Sequence, residues 1–279
     1  MGGSAPQGGG VARYARRGVV EAAHGVNEVH RVAKEKIAEK EGGLFETVKV
    51  IVQALLIALV IRTFLFQPFN IPSASMESTL LVGDYLFVSK YSYGYSRYSF
   101  PFGIVPLNGR VIGSEPERGD IAVFKLPRDN ATDYIKRVIG LPGDEIQVKD
   151  GILFINGAEI PRVREGDFVE TGPGGREFRA ERYRETLPNG VSYTVLDTDR
   201  NGLFDNTGVF RVPEGHFFMM GDNRDNSTDS RATYVGYVPY ENFVGRAEVI
   251  FFSVREDTPV WQVWNWPWSV RWDRIFDTL

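Results

Sequence analysis

Two serines spaced one residue apart, Ser73 and Ser75, stand in IPSASM, and a lysine, Lys136, stands in DYIKRVIGLPGD. A serine hydroxyl is a weak nucleophile until a neighbouring base removes its proton. The usual base is histidine, and the chain has only His24, His30 and His216. The first two precede a long apolar segment, and His216 sits alone beside Phe-Phe-Met-Met, where an imidazole is more often packed or at the surface than catalytic. Lysine is the alternative base if its pKa falls from about 10.4 towards neutrality, which burial among apolar neighbours achieves by penalising the ammonium. In a strand, Tyr134, Lys136 and Val138 share one face, while Ile135, Arg137 and Ile139 share the other. Arg137 cannot serve, because a guanidinium keeps its proton in proteins. Cysteine is absent, which excludes thiol nucleophiles, disulfides and thiolate metal sites. Taken singly, Ser75 reads as well as a turn serine after Pro72, and Lys136 as a strand lysine reaching to solvent.

The elements that must position these residues are legible from pattern. The 279 residues are 43% hydrophobic and carry a net charge of −4, a globular composition with no call for a nucleic-acid partner. Met1–Gly10 is Gly-rich, and residues 19–41 are polar with mixed charge. Residues 1–46 are therefore expected to be a partly disordered cytoplasmic segment. VKVIVQALLIALVIRTFLF follows, roughly twenty residues that at ~1.5 Å each span the ~30 Å hydrocarbon core. A transmembrane helix is expected over 47–66. Lys34, Lys36, Lys40 and Lys49 precede or open it, while residues 67–87 hold no Lys or Arg. The positive-inside rule then places the N-terminus in the cytoplasm and everything after Phe66 outside. Beyond it, DYLFVSKYSYG, DIAVFKLP, DYIKRVIGLPGDEIQV, GILFING, VSYTVLD and HFFMMGDN alternate β-formers with Gly, Pro, Asn and Asp breaks, an all-β pattern. The segment 159–207 is more polar and reads as an inserted subdomain in a catalytic β core of residues 67–158 and 208–279.

Taken together and in order, IPSASM after an apolar span, GDYLFVSKYSYG, RGDIAVFKLP, YIKRVIGLPGD and MMGDNRDNSTDSR resemble the bacterial type I signal peptidases. The resemblance covers Phe69 to about Asn156 and Val212 to about Phe252. It implies a mostly β, membrane-anchored serine protease with a Ser-Lys dyad that needs no cofactor or metal and cleaves signal peptides from exported preproteins. Ser75 is implied as nucleophile and Lys136 as general base. Ser73 and the Ser75 backbone N–H are implied as the oxyanion hole, Ser227 as the group orienting Lys136, and Asp229 with Arg231 as a brace; Tyr134 is counted with these supports. Phe69, Ile71, Met76, Leu86, Val123 and Ile135 are implied as walls of shallow pockets for small side chains. Two positions depart from the family pattern, Ala74 for Gly and Ser78 for Pro. The expected partners are preproteins and membrane lipid, and the expected location is the cytoplasmic membrane with the catalytic domain on its outer side. The rival readings are a self-cleaving Ser-Lys protease of the SOS-repressor kind and a tethered β-domain that binds envelope partners without catalysis.

Two weaker signals remain. DTDRNG, 197–202, begins like a calcium loop, but the position that should close it with Glu is Gly208, so a turn is expected. All five tryptophans fall between Trp261 and Trp272, where they either pack around the C-terminal strand or form an interfacial patch.

Overall fold

The computed structural model describes residues 46–100, 107, 109–171, 177–199, 201–255 and 258–279. The Gly-rich opening and the polar stretch 19–41 lie outside these. The chain parts into two compact units, 1–59 and 60–279. A helix, Glu46–Phe64, is long and apolar enough to cross a membrane, and its apolar side chains, Leu55 and Ile57 among them, are exposed. It stops two residues short of the expected 66, because Phe66 already pairs with Ser89 as the first residue of a strand. Pro68 reinforces the stop by holding Gln67 extended.

Fourteen strands follow among the described residues: β1 Phe66–Asn70, β2 Asp84–Ser89, β3 Ile121–Lys125, β4 Asp133–Gly140, β5 Glu145–Lys149, β6 Ile152–Ile155, β7 Ala158–Glu159, β8 Arg162–Thr171, β9 Glu177–Thr186, β10 Ser192–Asp197, β11 Phe210–Arg211, β12 His216–Met220, β13 Val238–Pro239 and β14 Phe243–Ser253. The fold is mostly β. A seven-stranded sheet has the order β1-β2-β14-β3-β4-β12-β13, a four-stranded sheet β11-β5-β6-β7, and a three-stranded sheet β10-β9-β8. Every neighbouring pair of strands is antiparallel. Asp150 and Gly151 (φ 49° and 75°) turn β5 into β6, the left-handed pair that a two-residue hairpin demands.

Three apolar clusters hold the sheets. One lies under the Ser73–Ser75 turn and contains Ile71, Met76, Leu80, Leu86 and Val88. A second gathers Phe124, Val138, Phe217 and Phe243. The third joins the smaller sheets through Ile146, Leu153, Tyr193 and Val195. β8, β9 and β10 form the three-stranded sheet, and β10 touches the Asp222–Arg224 segment directly through a bridge between Leu196 and Asn223.

Candidate active site

Ser75 lies in a single 3-10 turn, Ala74–Met76, entered from extended Ser73. Such a turn has almost no stability of its own, so other elements must fix it. Asn223 does so: its backbone N–H donates to Ser75 O at 3.2 Å, and its Nδ2 donates to Ala74 O at 3.1 Å and to Glu77 Oε2 at 3.3 Å. Lys136 arrives from β4, opposite Ala122 of β3. Its Nζ is 2.6 Å from Ser75 Oγ and 2.9 Å from Ile135 O. The Tyr134 ring centroid lies 5.5 Å from the same nitrogen. Both residues of the pair are buried. Burial of the Lys136 ammonium lowers its pKa to about 8, against the pull of Asp229 and Asp222.

Ser73 Oγ stands 3.4 Å from Ser75 Oγ. Asp229 accepts from Arg231 Nε and an Arg231 terminal nitrogen at 2.9 and 2.8 Å, and from Gly221 N at 3.0 Å. Burial alone would raise the Asp229 pKa, and Arg231 overrides it, leaving the carboxyl below its usual range. Ser227 Oγ is buried without a full-strength hydrogen bond; its polar interaction is a weak one with Asp229, and it makes none with Lys136. The serine sits behind Gly221, where a Cβ would fall 2.2 Å from Ser227 Oγ and 2.5 Å from Ser75 O. Any side chain there would push apart the two segments that meet at the site.

A cleft of about 500 Å³ opens at Ser75. Phe69, Ile71, Val123 and Ile135 line it as expected, with Ser73, Tyr134 and Lys136, and Asp133, Asn226 and Thr228 add polar groups. Met76 and Leu86 are fully buried in the core cluster that supports these walls. Sequence reading did not single out Gly221, Asn223 or the buried pair of Arg137 and Asp222, at 2.9 and 2.6 Å. The signal available for Gly221 was a glycine directly after a buried strand, which often marks a close backbone approach.

His216 lies outside the cleft, with Nδ1 2.9 Å from Glu214 O. Asp197 is occupied by Arg162 at 2.6 Å, and Asp225 accepts from the backbone N–H groups of Thr198 and Asp199, a turn held by hydrogen bonds. Among the described residues no group of three or more His, Cys, Asp or Glu side chains could hold a metal ion.

A buried serine and a buried amine at hydrogen-bonding distance, at the floor of a partly apolar cleft, suit attack on a peptide carbonyl. The comparisons with known proteins agree in kind. The family model described as signal peptidase, peptidase S26, matches residues 44–252. A protein of Rickettsia typhi named signal peptidase I is 45% identical over 240 residues, 80% of this chain and 89% of the relative. Its namesake from Rickettsia prowazekii is 42% identical over 268 residues, 89% and 96% of the two chains. A crystal structure of a signal peptidase I from Enterococcus faecalis matches at 28% identity with a TM-score of 0.28, covering 48% of this chain and 97% of the other.

Proposed function

Because the chain belongs to the signal peptidase family, peptidase S26, we propose that Ser75 is its nucleophile and Lys136 its general base. The reaction is that of signal peptidase I, a serine peptidase acting on preproteins that bear signal peptides. The observation that carries the assignment is the 2.6 Å approach of a buried amine to a buried hydroxyl. A neutral Lys136 takes the Ser75 proton as Oγ attacks the scissile carbonyl. The oxyanion is received by the Ser75 N–H and the Ser73 hydroxyl, donors each worth about 3–4 kcal/mol of barrier in comparable sites. The protonated amine then gives its proton to the leaving nitrogen, and the same amine, neutral again, activates the water that clears the acyl-enzyme. Asp229 and Arg231 act on the lysine through their charges, and Ser227 packs behind Gly221 without hydrogen-bonding to the lysine.

The helix Glu46–Phe64 is the membrane anchor, and the catalytic unit stands on the outer face. Charge supports this orientation, since the basic residues Lys34, Lys36, Lys40 and Lys49 precede or open the helix as the positive-inside rule requires of the cytoplasmic flank.

The test is single-turnover cleavage of a preprotein by the purified chain beside Ser75→Ala, Lys136→Ala and Lys136→Arg. All three variants should be inactive, since a permanent guanidinium cannot act as base. The rate should rise with pH through about 8. Near-normal cleavage by Lys136→Arg would overturn the assignment of the base.

A further inference from the structure

The three-stranded sheet contributes nothing to the lining of the cleft, yet it sends two polar side chains deep into the protein. Glu185 of β9 is fully buried, and Tyr193 of β10 is nearly so. They are cross-strand partners, and both meet Arg224, three residues beyond Gly221. The Arg224 guanidinium donates to both Glu185 oxygens at 3.1 and 2.6 Å and to the Tyr193 hydroxyl at 3.1 Å. Tyr193 donates in turn to Glu185 at 2.7 Å. The Tyr193 ring also carries the Arg137 guanidinium, 4.3 Å from its centroid. The backbone repeats the attachment: Leu196 N donates to Asp222 O and Arg224 N to Leu196 O, both at 2.9 Å.

The segment so held, Asp222–Arg224, does the positioning described above. Asn223 grips the Ser75 turn, Asp222 fixes Arg137 beside Lys136, and the Arg224 carbonyl accepts from Arg231 at 2.6 Å. Buried charges along this chain of contacts are Arg137, Arg224 and Arg231, with Asp222, Glu185, Asp229 and the Glu77 that Asn223 touches, and Glu185 comes from the insert.

We propose that Glu185 and Tyr193 are positioning residues for the reaction: the insert sheet clamps the Asp222–Arg224 segment and thereby sets the approach of Ser75 to Lys136. The proposal rests on the assignment of that pair as nucleophile and base. Without the Glu185 charge, Arg224 turns to Asp222, the other carboxylate acting on it. That weakens the hold of Asp222 on Arg137 and shifts the turn that Asn223 grips. Displacements of about 1 Å in a reacting pair reduce rates on the order of a hundredfold. The cleft walls are untouched, so substrate binding stays as it was.

The experiment compares the full chain with Glu185→Gln and Tyr193→Phe for preprotein cleavage across pH, with thermal melting of each in the same detergent. The expected result is a kcat for Glu185→Gln lower by tenfold or more at a KM within twofold, in protein still folded at the assay temperature. Tyr193→Phe should lose a few fold in kcat. A lower melting temperature with parental kcat would overturn the proposal, leaving the clamp purely structural. If Glu185→Gln does not fold, Tyr193→Phe decides alone: parental kcat overturns the proposal, and a loss in folded protein supports it. Ser75→Ala runs alongside, so that an inactive parent or an active Ser75→Ala marks a failure of the dyad assignment and not of the clamp.

Discussion

Burying the Lys136 ammonium lowers its pKa from 10.5 to about 8, and the burial that suits it to the proposed role of base also weakens the fold. Below about pH 8 the group is protonated folded and unfolded, and the folded state bears the full cost of burying the charge. Between about 8 and 10.5 the unfolded chain binds more protons, so stability rises with pH, and above 10.5 the cost is gone. A fall from 10.5 to about 8 corresponds to about 3 kcal/mol. Lys136→Met should therefore be more stable than the parent at pH 6 by up to about 3 kcal/mol, with the difference shrinking towards pH 10. Lys90, lowered to about 8 mainly by burial, is present in both proteins and cancels. Urea unfolding in detergent at several pH values measures this. A difference that does not change with pH would show that no lysine charge is buried at this position.

Among the elements, β1 with the turn after it and β4 form the two sides of the cleft. Their apolar side chains, half-buried Phe69 and buried Ile71 on one side and half-buried Ile135 on the other, belong to one core cluster where it meets the cleft. Shape does the selecting here, and trimming a wall admits larger side chains at a gain of only about 1–3 kcal/mol per methylene. Ile135→Ala should relax the choice of residue at the cleavage position, read by sequencing the mature N-termini; unchanged cut sites would remove Ile135 from the pocket. β3 and β4 were legible because apolar residues run through them between clear breaks. β14 was not, although it is the longest strand: register shifts at Ala247/Val249 and Ile250/Phe252 break its alternation. β8 and β9 were hidden by their charges, since a sheet with polar residues on both faces carries no period-two signal. At the site, Ser75 and Lys136 stood out by motif, whereas Asn223 and Gly221 act through neighbours distant in sequence, which no local pattern records.

Across the whole molecule, an aromatic path connects the C-terminal tryptophans to the start of the sheet. Trp266 packs on Phe252, which meets Tyr85, then Phe251, Phe87, Phe66 and Tyr91 in turn. Trp261, Trp264, Trp268 and Trp272 are each more than 60% exposed, so packing on Phe252 accounts for Trp266 and not for them. Exposed indoles of this kind favour the headgroup boundary. In vesicles of brominated phosphatidylcholine the tryptophan emission of the full chain should be quenched, and less so in Trp264→Phe/Trp268→Phe. Quenching equal in both proteins would place this patch in water. The sheet order adds a matter of timing. β14 separates β2 from β3, yet it follows both in the chain, so until it emerges no sheet pairing joins the strand beside the Ser75 turn to the pair that carries Lys136. At about 5–20 residues per second, that interval lasts on the order of ten seconds. Throughout it the sheet that sets the proposed pair of Ser75 and Lys136 side by side is unfinished.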